Sequence, residues 1–266
     1  MKLAGRVAVV TGTSPNIGGG IATGLADEGA KLVCVDIRPD YAEQCAKHIR
    51  ERSGDAIAVT CDVTDDDQVR DMVQKAKDAF GGVDILVNNA VIFNQKGVLD
   101  MPLDEWDSQI GVILTGAFLC TKRVANLMIE QGTRGSVINI ISTAGHQGQP
   151  GNVGYCTGKS GLLNFTRSVA MELAPHGIRV NSLTPTATDP SEAGELASEW
   201  GIDESGRRSG GPGEHFLRGV PMGKLPRPSH YARAAAFLAS DDAEMITGMD
   251  LRVDAGAVAR YWAWTP

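Results

Sequence analysis

Seven short runs of apolar residues recur along the 266-residue chain, and helix-length segments separate them. The runs are RVAVV, KLVCVD, AIAVTCD, VDILVNN, SVINII, IRVNSL and MDLRVD. Near-continuous apolar strands of this kind are typical of parallel sheets, because helices cover both faces of such a sheet. The pattern therefore predicts an α/β fold, a doubly wound sheet of seven parallel strands with helices on both faces.

The segments between these strands have the periodicity of amphipathic helices. The predicted helices span residues 17–28, 41–52, 66–80, 114–130, 155–173 and 229–239. Residues 186–228 are instead rich in Gly, Pro, Ser and charged residues, and they are too long for an ordinary connection. We therefore expect a single domain over residues 1–266, in which residues 186–228 form a partly helical, mobile lid over the substrate.

Composition argues against several classes of partner. The net charge is −7 with 42% hydrophobic and 21% charged residues, a balance that does not favour nucleic acid or anionic membrane. The N-terminus lacks a signal-peptide pattern, and no uninterrupted apolar run is expected to span a bilayer. The five cysteines are scattered without a CxxC pair, which indicates reduced thiols and no metal site. A cytoplasmic protein is expected.

A glycine-rich stretch, TGTSPNIGGG, lies between the first strand and the first helix. A turn at this place presents backbone N–H groups and a helix N-terminus to a pyrophosphate. Gly12 fits the tight turn, and Gly18 allows a close approach at the helix start. Asn16 stands where a middle glycine is expected, and we expect it to adopt the positive φ that asparagine tolerates. The alternative is an ordinary structural turn.

Two acidic residues follow the next two strands. Asp36 closes KLVCVD, where a carboxylate would accept hydrogen bonds from an adenosine ribose and repel a 2′-phosphate, so NAD is favoured over NADP. The nearby Arg38 would either stack on adenine or face solvent. Asp62 ends the third strand at the same edge of the sheet. Its CDVTD segment would also cap the next helix through Thr64 and Asp67.

Candidate catalytic residues lie in YCTGK and just after SVINII. Tyr155 and Lys159 are four residues apart on a predicted helix and therefore share a face. Such a pair alone is often a chance match, but Ser142 follows a strand at the edge where α/β folds build their sites. A phenol has a pKa of about 10, and a nearby positive charge lowers it towards the range of a useful base. Ser142 would stabilise charge developing on the substrate oxygen.

Together, TGTSPNIG, Asp36, CDV, NNA, INIISTAG, Tyr155 with Lys159, GIRVNSLTP and ITGMDLRVDAG resemble the ordered motifs of the short-chain dehydrogenase/reductase family over nearly the whole chain. The resemblance implies a Rossmann fold in which Tyr155 is the general acid/base, Lys159 binds the nicotinamide ribose and Ser142 orients the substrate oxygen. It also implies a homotetramer, with a homodimer as the alternative. The cofactor-binding residues expected from motif and resemblance are Gly12, Asn16, Ile17, Gly18, Asp36, Asp62, Val63, Asn89, Ala90, Tyr155, Lys159, Pro185 and Thr188.

Besides Asn16, three other residues depart from the family pattern. Val91 replaces the glycine of NNAG, Thr186 follows Pro185 where the family has glycine, and Ile113 stands at the position of a catalytic asparagine. At Ile113, the alternatives are a relay preserved by a water on a backbone carbonyl, a slowed enzyme, or a cofactor-binding protein with little turnover.

The expected activity is interconversion of a secondary alcohol and a ketone with NAD. Phe93, Trp200, Phe216 and the tail YWAWTP would supply apolar walls for a bulky, cyclic or steroid-like substrate, unless they serve ordinary packing. Reduction of 3-oxoacyl thioesters is the enzymatic alternative, which Asp36 disfavours because such reductions usually draw on NADPH. His146 is expected to be a surface residue without a chemical role.

Overall fold

The computed structural model describes residues 1–202, residue 217 and residues 219–261. Seven strands form one parallel sheet in the order β3-β2-β1-β4-β5-β6-β7, which confirms the predicted α/β fold. The strands are β1 Val7–Thr11, β2 Lys31–Asp36, β3 Ala56–Thr60, β4 Ile85–Asn88, β5 Ser136–Ile140, β6 Arg179–Pro185 and β7 Asp250–Val253. Strand β1 pairs with both β2 and β4, so the strand order reverses direction at the β1–β4 junction.

Helices connect the strands, and the principal ones lie close to the predicted ranges. They are α1 Ile17–Asp27, α2 Pro39–Glu51, α3 Asp66–Phe80, α4 Leu103–Ile110, α5 Gly116–Gln131, α6 Val153–Leu173, α7 Pro190–Glu199 and α8 Pro228–Ala239. Helices α2, α6 and α8 begin one or two residues earlier than predicted. In α2 and α8 the reason is a proline in the first turn, whose fixed φ suits a helix start.

The core divides into two main layers because successive strand residues point to opposite faces of the sheet. On one face, residues such as Val10 pack with Leu25 of α1, Ile49 of α2 and Tyr231 of α8. On the other face, residues such as Val9 pack with buried side chains of α3 and α5. The strands are buried on both sides, which explains their near-continuous apolar sequences.

The helix before β5 is longer than predicted. It begins at Leu103 rather than near residue 114, and a π-helical turn, Gly111–Thr115, joins α4 to α5. The joined segment, Leu103–Gln131, has 29 residues and is long and apolar enough to span a membrane by length and composition, contrary to the sequence expectation. Half of its most apolar window is buried inside the fold, so core packing accounts for that composition.

The cap of α3 differs from the predicted one. Asp65, not Thr64, is the N-cap, and its carboxylate accepts hydrogen bonds from the N–H groups of Asp67 and Gln68. The Thr64 N–H and hydroxyl donate instead to Asp62 Oδ1, at 2.9 and 2.7 Å. Asp62 therefore shapes the turn after β3.

Trp200, at the end of α7, does not line a substrate pocket as expected. It is 4% exposed and packs within the core on the α1 face. A Cβ built on Gly19 would lie 2.6 Å from its ring atom Cη2. The prediction was wrong because the chain after β6 leads α7 onto α1. Phe216 and most of the tail, residues 262–266, lie outside the described residues.

Helices α1 and α8 approach closely at Gly24. A Cβ built on Gly24 would lie 2.5 Å from Ala232 Cβ, closer than two carbon atoms can pack. On α7, a Cβ built on Gly194 would meet nothing within 4 Å. The two glycines therefore have different packing environments in helices of the same fold.

We predict that Gly24→Ala lowers the free energy of unfolding by about 1–3 kcal/mol, because overpacking outweighs the gain in helix propensity. Thermal and urea melts would measure it. Gly194→Ala is the matched control and should stabilise the protein by up to about 1 kcal/mol. Adding Ala232→Gly should recover much of the Gly24→Ala loss, and strictly additive effects in the double variant would contradict the packing argument.

Candidate active site

The carboxyl ends of β1 and β4 are tied together by Thr11 and Asn89. The Asn89 side-chain Nδ2 donates to the carbonyls of Thr11 and Gly12, at 3.0 and 2.8 Å. In return, Thr11 Oγ1 accepts from the N–H groups of Asn89 and Ala90, at 3.0 and 3.1 Å. Because the strand order reverses here, the two connections leave on opposite faces and a crevice opens between them.

The glycine loop folds against this clamp. Gly12 has a φ of +71°, which favours glycine and agrees with the predicted tight turn. A Cβ built on Gly18 would lie 2.0 Å from the Gly12 carbonyl oxygen, so the helix start can approach the turn only as glycine. Asn16 has a φ of −146°, so the expectation of a positive φ was wrong. The positive φ in this loop is at Gly12, as its predicted tight turn requires, and Asn16 has a negative φ.

A cleft of about 360 Å³ lies beside the loop. It brings together nine of the predicted cofactor residues, namely Gly12, Asn16, Ile17, Gly18, Asp36, Asp62, Val63, Asn89 and Ala90. Val91, which departs from the family motif, also lines it and is 40% exposed. Pro185 ends β6, and Thr188 Oγ1 lies 3.3 Å from the Tyr231 hydroxyl; neither lines this cleft.

Asp36 lies at the floor of the cleft and is 8% exposed. Its Oδ1 accepts from the Arg38 backbone N–H at 3.0 Å. The Arg38 guanidinium stacks 3.9 Å from the centroid of the Tyr41 ring and forms an ion pair with Asp40. That ion pair raises the pKa of Arg38 and lowers the pKa of Asp40. The arginine is thus held by its own helix.

Ser142 and Tyr155 meet after the carboxyl end of β5. Ser142 begins a 3₁₀ turn, Thr143–Gly145, and its Oγ accepts from the Ala144 N–H at 3.1 Å. Burial raises the pKa of Tyr155, and its hydrogen bond with Ser142 opposes that shift. The ring of Phe93, which lines the cleft, lies 5.5 Å from the Tyr155 ring between centroids. Phe93 therefore lies between the cleft and Tyr155, which is hydrogen-bonded to Ser142.

Lys159 lies one turn further along α6 and is 2% exposed. Its Nζ donates to the Ile140 carbonyl at 2.5 Å and lies 5.8 Å from the centroid of the Tyr155 ring. Burial lowers the pKa of Lys159 to about 7, because the charged ammonium is poorly solvated there. The predicted Tyr155 and Lys159 neighbourhood is present.

Ile113 occupies the π-helical turn and is 2% exposed. It faces α6 closely, since a Cβ built on Gly158 would lie 3.0 Å from Ile113 Cγ2. Ile113 also lines a small cavity together with Lys159. The departure from the family motif is therefore next to the proposed proton-transfer pair.

Sequence reasoning missed a polar cluster behind Ser142. His146 is not a surface residue, because its side chain is only 19% exposed and its Nε2 lies 3.2 Å from Asp250 Oδ2. Asp250 Oδ1 accepts from the Ser182 and Thr184 hydroxyls, at 2.7 and 2.8 Å. These contacts join residues far apart in the chain, so no local motif could reveal them. They tie the Ser142 turn to β6 and β7.

The arrangement fits a dinucleotide with a nicotinamide ring. Gly18 lets the start of α1 pack against the Gly12 turn, so the N-terminus of this helix lies at the glycine loop. Asn16 Oδ1 is buried and accepts no hydrogen bond from the described part of the chain, which makes it available to a ligand hydroxyl or amide. The Asp36 carboxylate lies where an adenosine ribose would be held.

Comparison with known proteins agrees with this geometry. Residues 12–258 match the profile of a family described as enoyl-(acyl carrier protein) reductase. The chain is 36% identical to an uncharacterized oxidoreductase, YxbG, of Bacillus subtilis, covering 98% of this chain and 94% of that protein. It is 37% identical to a 3-oxoacyl-[acyl-carrier-protein] reductase of Synechocystis, covering 96% of this chain and 98% of the relative.

A cis-4-hydroxycyclohexanecarboxylate dehydrogenase of Sinomonas cyclohexanicum is 36% identical, covering 96% of this chain and 97% of that protein. The crystal structure of a short-chain type dehydrogenase/reductase from Mycobacterium marinum superposes with a TM-score of 0.85 at 31% identity, covering 97% of each chain. The chain belongs to the short-chain dehydrogenase/reductase family and is an oxidoreductase. Members of this family typically use a nicotinamide cofactor.

We predict that Lys159→Met raises the free energy of unfolding of the unliganded protein near pH 7. Between the folded pKa of about 7 and the ordinary value of 10.5, the unfolded chain binds more protons than the folded chain. The free energy of unfolding of the wild type therefore rises with pH across that window. The difference in this free energy between the variant and the wild type should shrink as the pH rises. Urea unfolding at several pH values would measure it. The exposed Lys122→Met is the control, and a gap that does not change with pH would contradict the burial argument.

Proposed function

We propose that the protein is an NAD-dependent oxidoreductase that interconverts a secondary alcohol and a ketone. The observation that carries the proposal is the placement of Ser142, Tyr155 and Lys159 beside a cleft that contains Asp36. The Asp36 carboxylate supports NAD over NADP, since it would repel a 2′-phosphate. Arg38 does not offset this, because Tyr41 and Asp40 already hold its guanidinium.

A nicotinamide cofactor, when bound, would supply or accept the hydride. Tyr155 gives its proton to the ketone oxygen in reduction and takes the proton of the hydroxyl in oxidation. Burial favours the protonated phenol, so the Tyr155 of the unliganded site is prepared as an acid. Ser142 donates to the substrate oxygen as charge develops on it. Lys159 binds the ribose and, when charged, stabilises the phenolate. Pro185 and Thr188 would border the nicotinamide end.

An apolar rim beside the site supports a bulky, cyclic or apolar substrate. Phe93, which is 62% exposed, and Ile92, which is 45% exposed, both line the cleft. Phe93 contacts Tyr155, so a substrate held at the phenol would also touch this ring. Relatives named as dehydrogenases of cyclic substrates support the same class.

Reduction of 3-oxoacyl thioesters is the second candidate. Two relatives at 37% and 33% identity carry that name, and an apolar rim also suits an acyl chain. A cofactor-binding protein with little turnover is the third candidate, because Ile113 stands at the position of the family's catalytic asparagine. The lid predicted over residues 186–228 includes residues 203–216 and 218, which lie outside the described residues. The exposed apolar side chains of Phe118 on α5 and Met171 on α6 would lie in a homotetramer or homodimer interface.

The experiment that tests the function is a screen of cyclic and linear secondary alcohols with NAD. The absorbance of the NADH that forms reports turnover. The matching ketones and a 3-oxoacyl thioester would be tested in reverse with NADH and NADPH. Turnover of the thioester alone would select the second candidate. Binding of NADH without turnover of any substrate would select the third.

We predict that Tyr155→Phe lowers turnover by about a hundredfold or more, because phenylalanine has no proton to transfer. The dissociation constant for NADH should stay within about twofold of the wild-type value. A tenfold change would correspond to about 1.4 kcal/mol. Steady-state kinetics and fluorescence titration would measure the two. Tyr261→Phe, at a residue 64% exposed, is the control and should keep wild-type turnover. Near-wild-type activity of Tyr155→Phe would exclude this mechanism.

A further prediction is that Asp36→Ala narrows or reverses the preference for NADH over NADPH. We expect the dissociation constant for NADPH divided by that for NADH to fall by about tenfold, which corresponds to about 1.4 kcal/mol. Calorimetric titration with both cofactors would measure it. Asp78→Ala, which removes an exposed carboxylate on α3 outside the cleft, is the control. Tighter binding of NADPH than NADH by the wild type would refute the role of Asp36.

A further inference from the structure

The parallel ladder between β5 and β6 ends immediately before Ser142. Its last backbone bond runs from the Ile141 N–H to the Leu183 carbonyl at 2.8 Å. The next bond of such a ladder would come from the N–H of residue 185, but Pro185 has none. Within the described chain, no backbone hydrogen bond joins residues 142–146 to β6 or β7. The Ser142 turn therefore needs another attachment to hold its place beside the sheet.

The side chain of His146 supplies that attachment on one side of the turn. His146 ends the 3₁₀ turn that Ser142 begins, and its backbone N–H donates to the Thr143 carbonyl at 3.0 Å. Its ring Nε2 lies 3.1 Å from Thr184 Oγ1 on β6 and 3.2 Å from Asp250 Oδ2 on β7. One side chain thus reaches both strands from the end of the turn.

The groups around the His146 ring show which of its nitrogens carries a proton. Thr184 donates its one hydroxyl proton to Asp250 Oδ1 at 2.8 Å, so towards His146 this hydroxyl can only accept. Asp250 Oδ2 is also an acceptor, and it is buried without a donor elsewhere in the described chain. A bare Nε2 would place its lone pair against both oxygens. Nε2 therefore carries a proton and shares it between Thr184 and Asp250.

The other side of the turn rests on the backbone of α6. A Cβ built on Gly145 would lie 2.9 Å from the Lys159 carbonyl oxygen, so the turn touches the helix with no side chain between them. That contact is steric and limits only how closely the turn approaches α6. The bonds of His146 are directional, and they fix how far the turn lies from β6 and β7. Ser142, which is hydrogen-bonded to Tyr155, is carried on the same turn.

We propose that His146 is a positioning residue, which places the Ser142 hydroxyl through the bonds of its Nε2–H to Thr184 and Asp250. The role is indirect, because His146 acts through the turn. Without the Nε2–H the turn would be free to move away from β6, and the Ser142 hydroxyl would no longer bond both Tyr155 and the substrate oxygen. The effect on catalysis rests on the proposed function, whereas the placement of Ser142 by His146 does not.

The placement is tested without catalysis, by NMR of the imidazole nitrogens and by crystal structures of the unliganded protein. In the wild type we expect the chemical shift of His146 Nε2 to be that of a protonated nitrogen, and loss of the signal in His146→Gln assigns it. In His146→Met we expect Ser142 Oγ to lie about 1 Å further from the Tyr155 hydroxyl, whereas in His146→Gln it should stay in place. A bare Nε2 in the wild type, or an unmoved Ser142 in His146→Met, would overturn the proposal.

The consequence for catalysis is tested by kcat, KM and the dissociation constant for NADH. His146→Met has a side chain of similar length without an N–H, so it should lower kcat about tenfold while NADH binding stays within about twofold. His146→Gln places an amide N–H at the same distance along the side chain, and it should restore kcat to within about twofold of the wild type. His176→Met, at an exposed histidine, is the matched control and should keep wild-type kcat.

Equal losses of kcat in His146→Met and His146→Gln would show that the ring serves only packing, and would refute the positioning role. If His146→Met does not fold, Thr184→Val decides instead, because it keeps the shape of the side chain and removes one acceptor of the Nε2 proton. It should lower kcat and displace Ser142 in the same direction, and wild-type kcat with an unmoved Ser142 would overturn the proposal. A wild type that binds NADH but turns over no alcohol, ketone or thioester would refute the proposed function. The spectra and crystal structures would then still decide the placement of Ser142.

Discussion

The hydrogen bonds between Thr11 and Asn89 are the constraint on which the site depends. They hold the carboxyl ends of β1 and β4 at a fixed separation, using both the backbone and the side chain of each residue. The glycine loop is packed against them, and a Cβ on Gly18 would lie 2.5 Å from Asn89 Nδ2. A side chain at Gly18 would therefore disturb the strand clamp as well as the phosphate cradle, so the cleft and the sheet cannot change independently.

Most of the fold was predictable because each strand and helix has its own periodic sequence. Helix α3 begins and ends at the predicted residues, Asp66–Phe80, where acidic residues precede an apolar stripe and Gly81 adopts the left-handed conformation that ends helices. Helix α4 was missed because its face is mostly polar and Gly111 interrupts the pattern. The burial of Trp200 was also unpredictable, because it depends on how the segment after β6 returns to α1.

The site was predictable where its residues are neighbours in sequence or follow a strand. Tyr155 and Lys159 share a helix face, Asp36 ends β2 and Asp62 follows the adjacent β3, so local rules were sufficient. The hydrogen bond between His146 and Thr184 and the contact between His146 and Asp250 join distant segments, and no spacing rule describes them. Asn16 was misjudged because residue type alone does not show which position of a loop makes the turn.

Burial acts in opposite directions on the two ionisable groups of the site. It lowers the pKa of Lys159 to about 7 and raises the pKa of Tyr155, so in the unliganded site burial disfavours the charged form of both groups. A charged lysine beside a phenolate is thus a state that ligands and bound water must stabilise, not one that the empty fold provides.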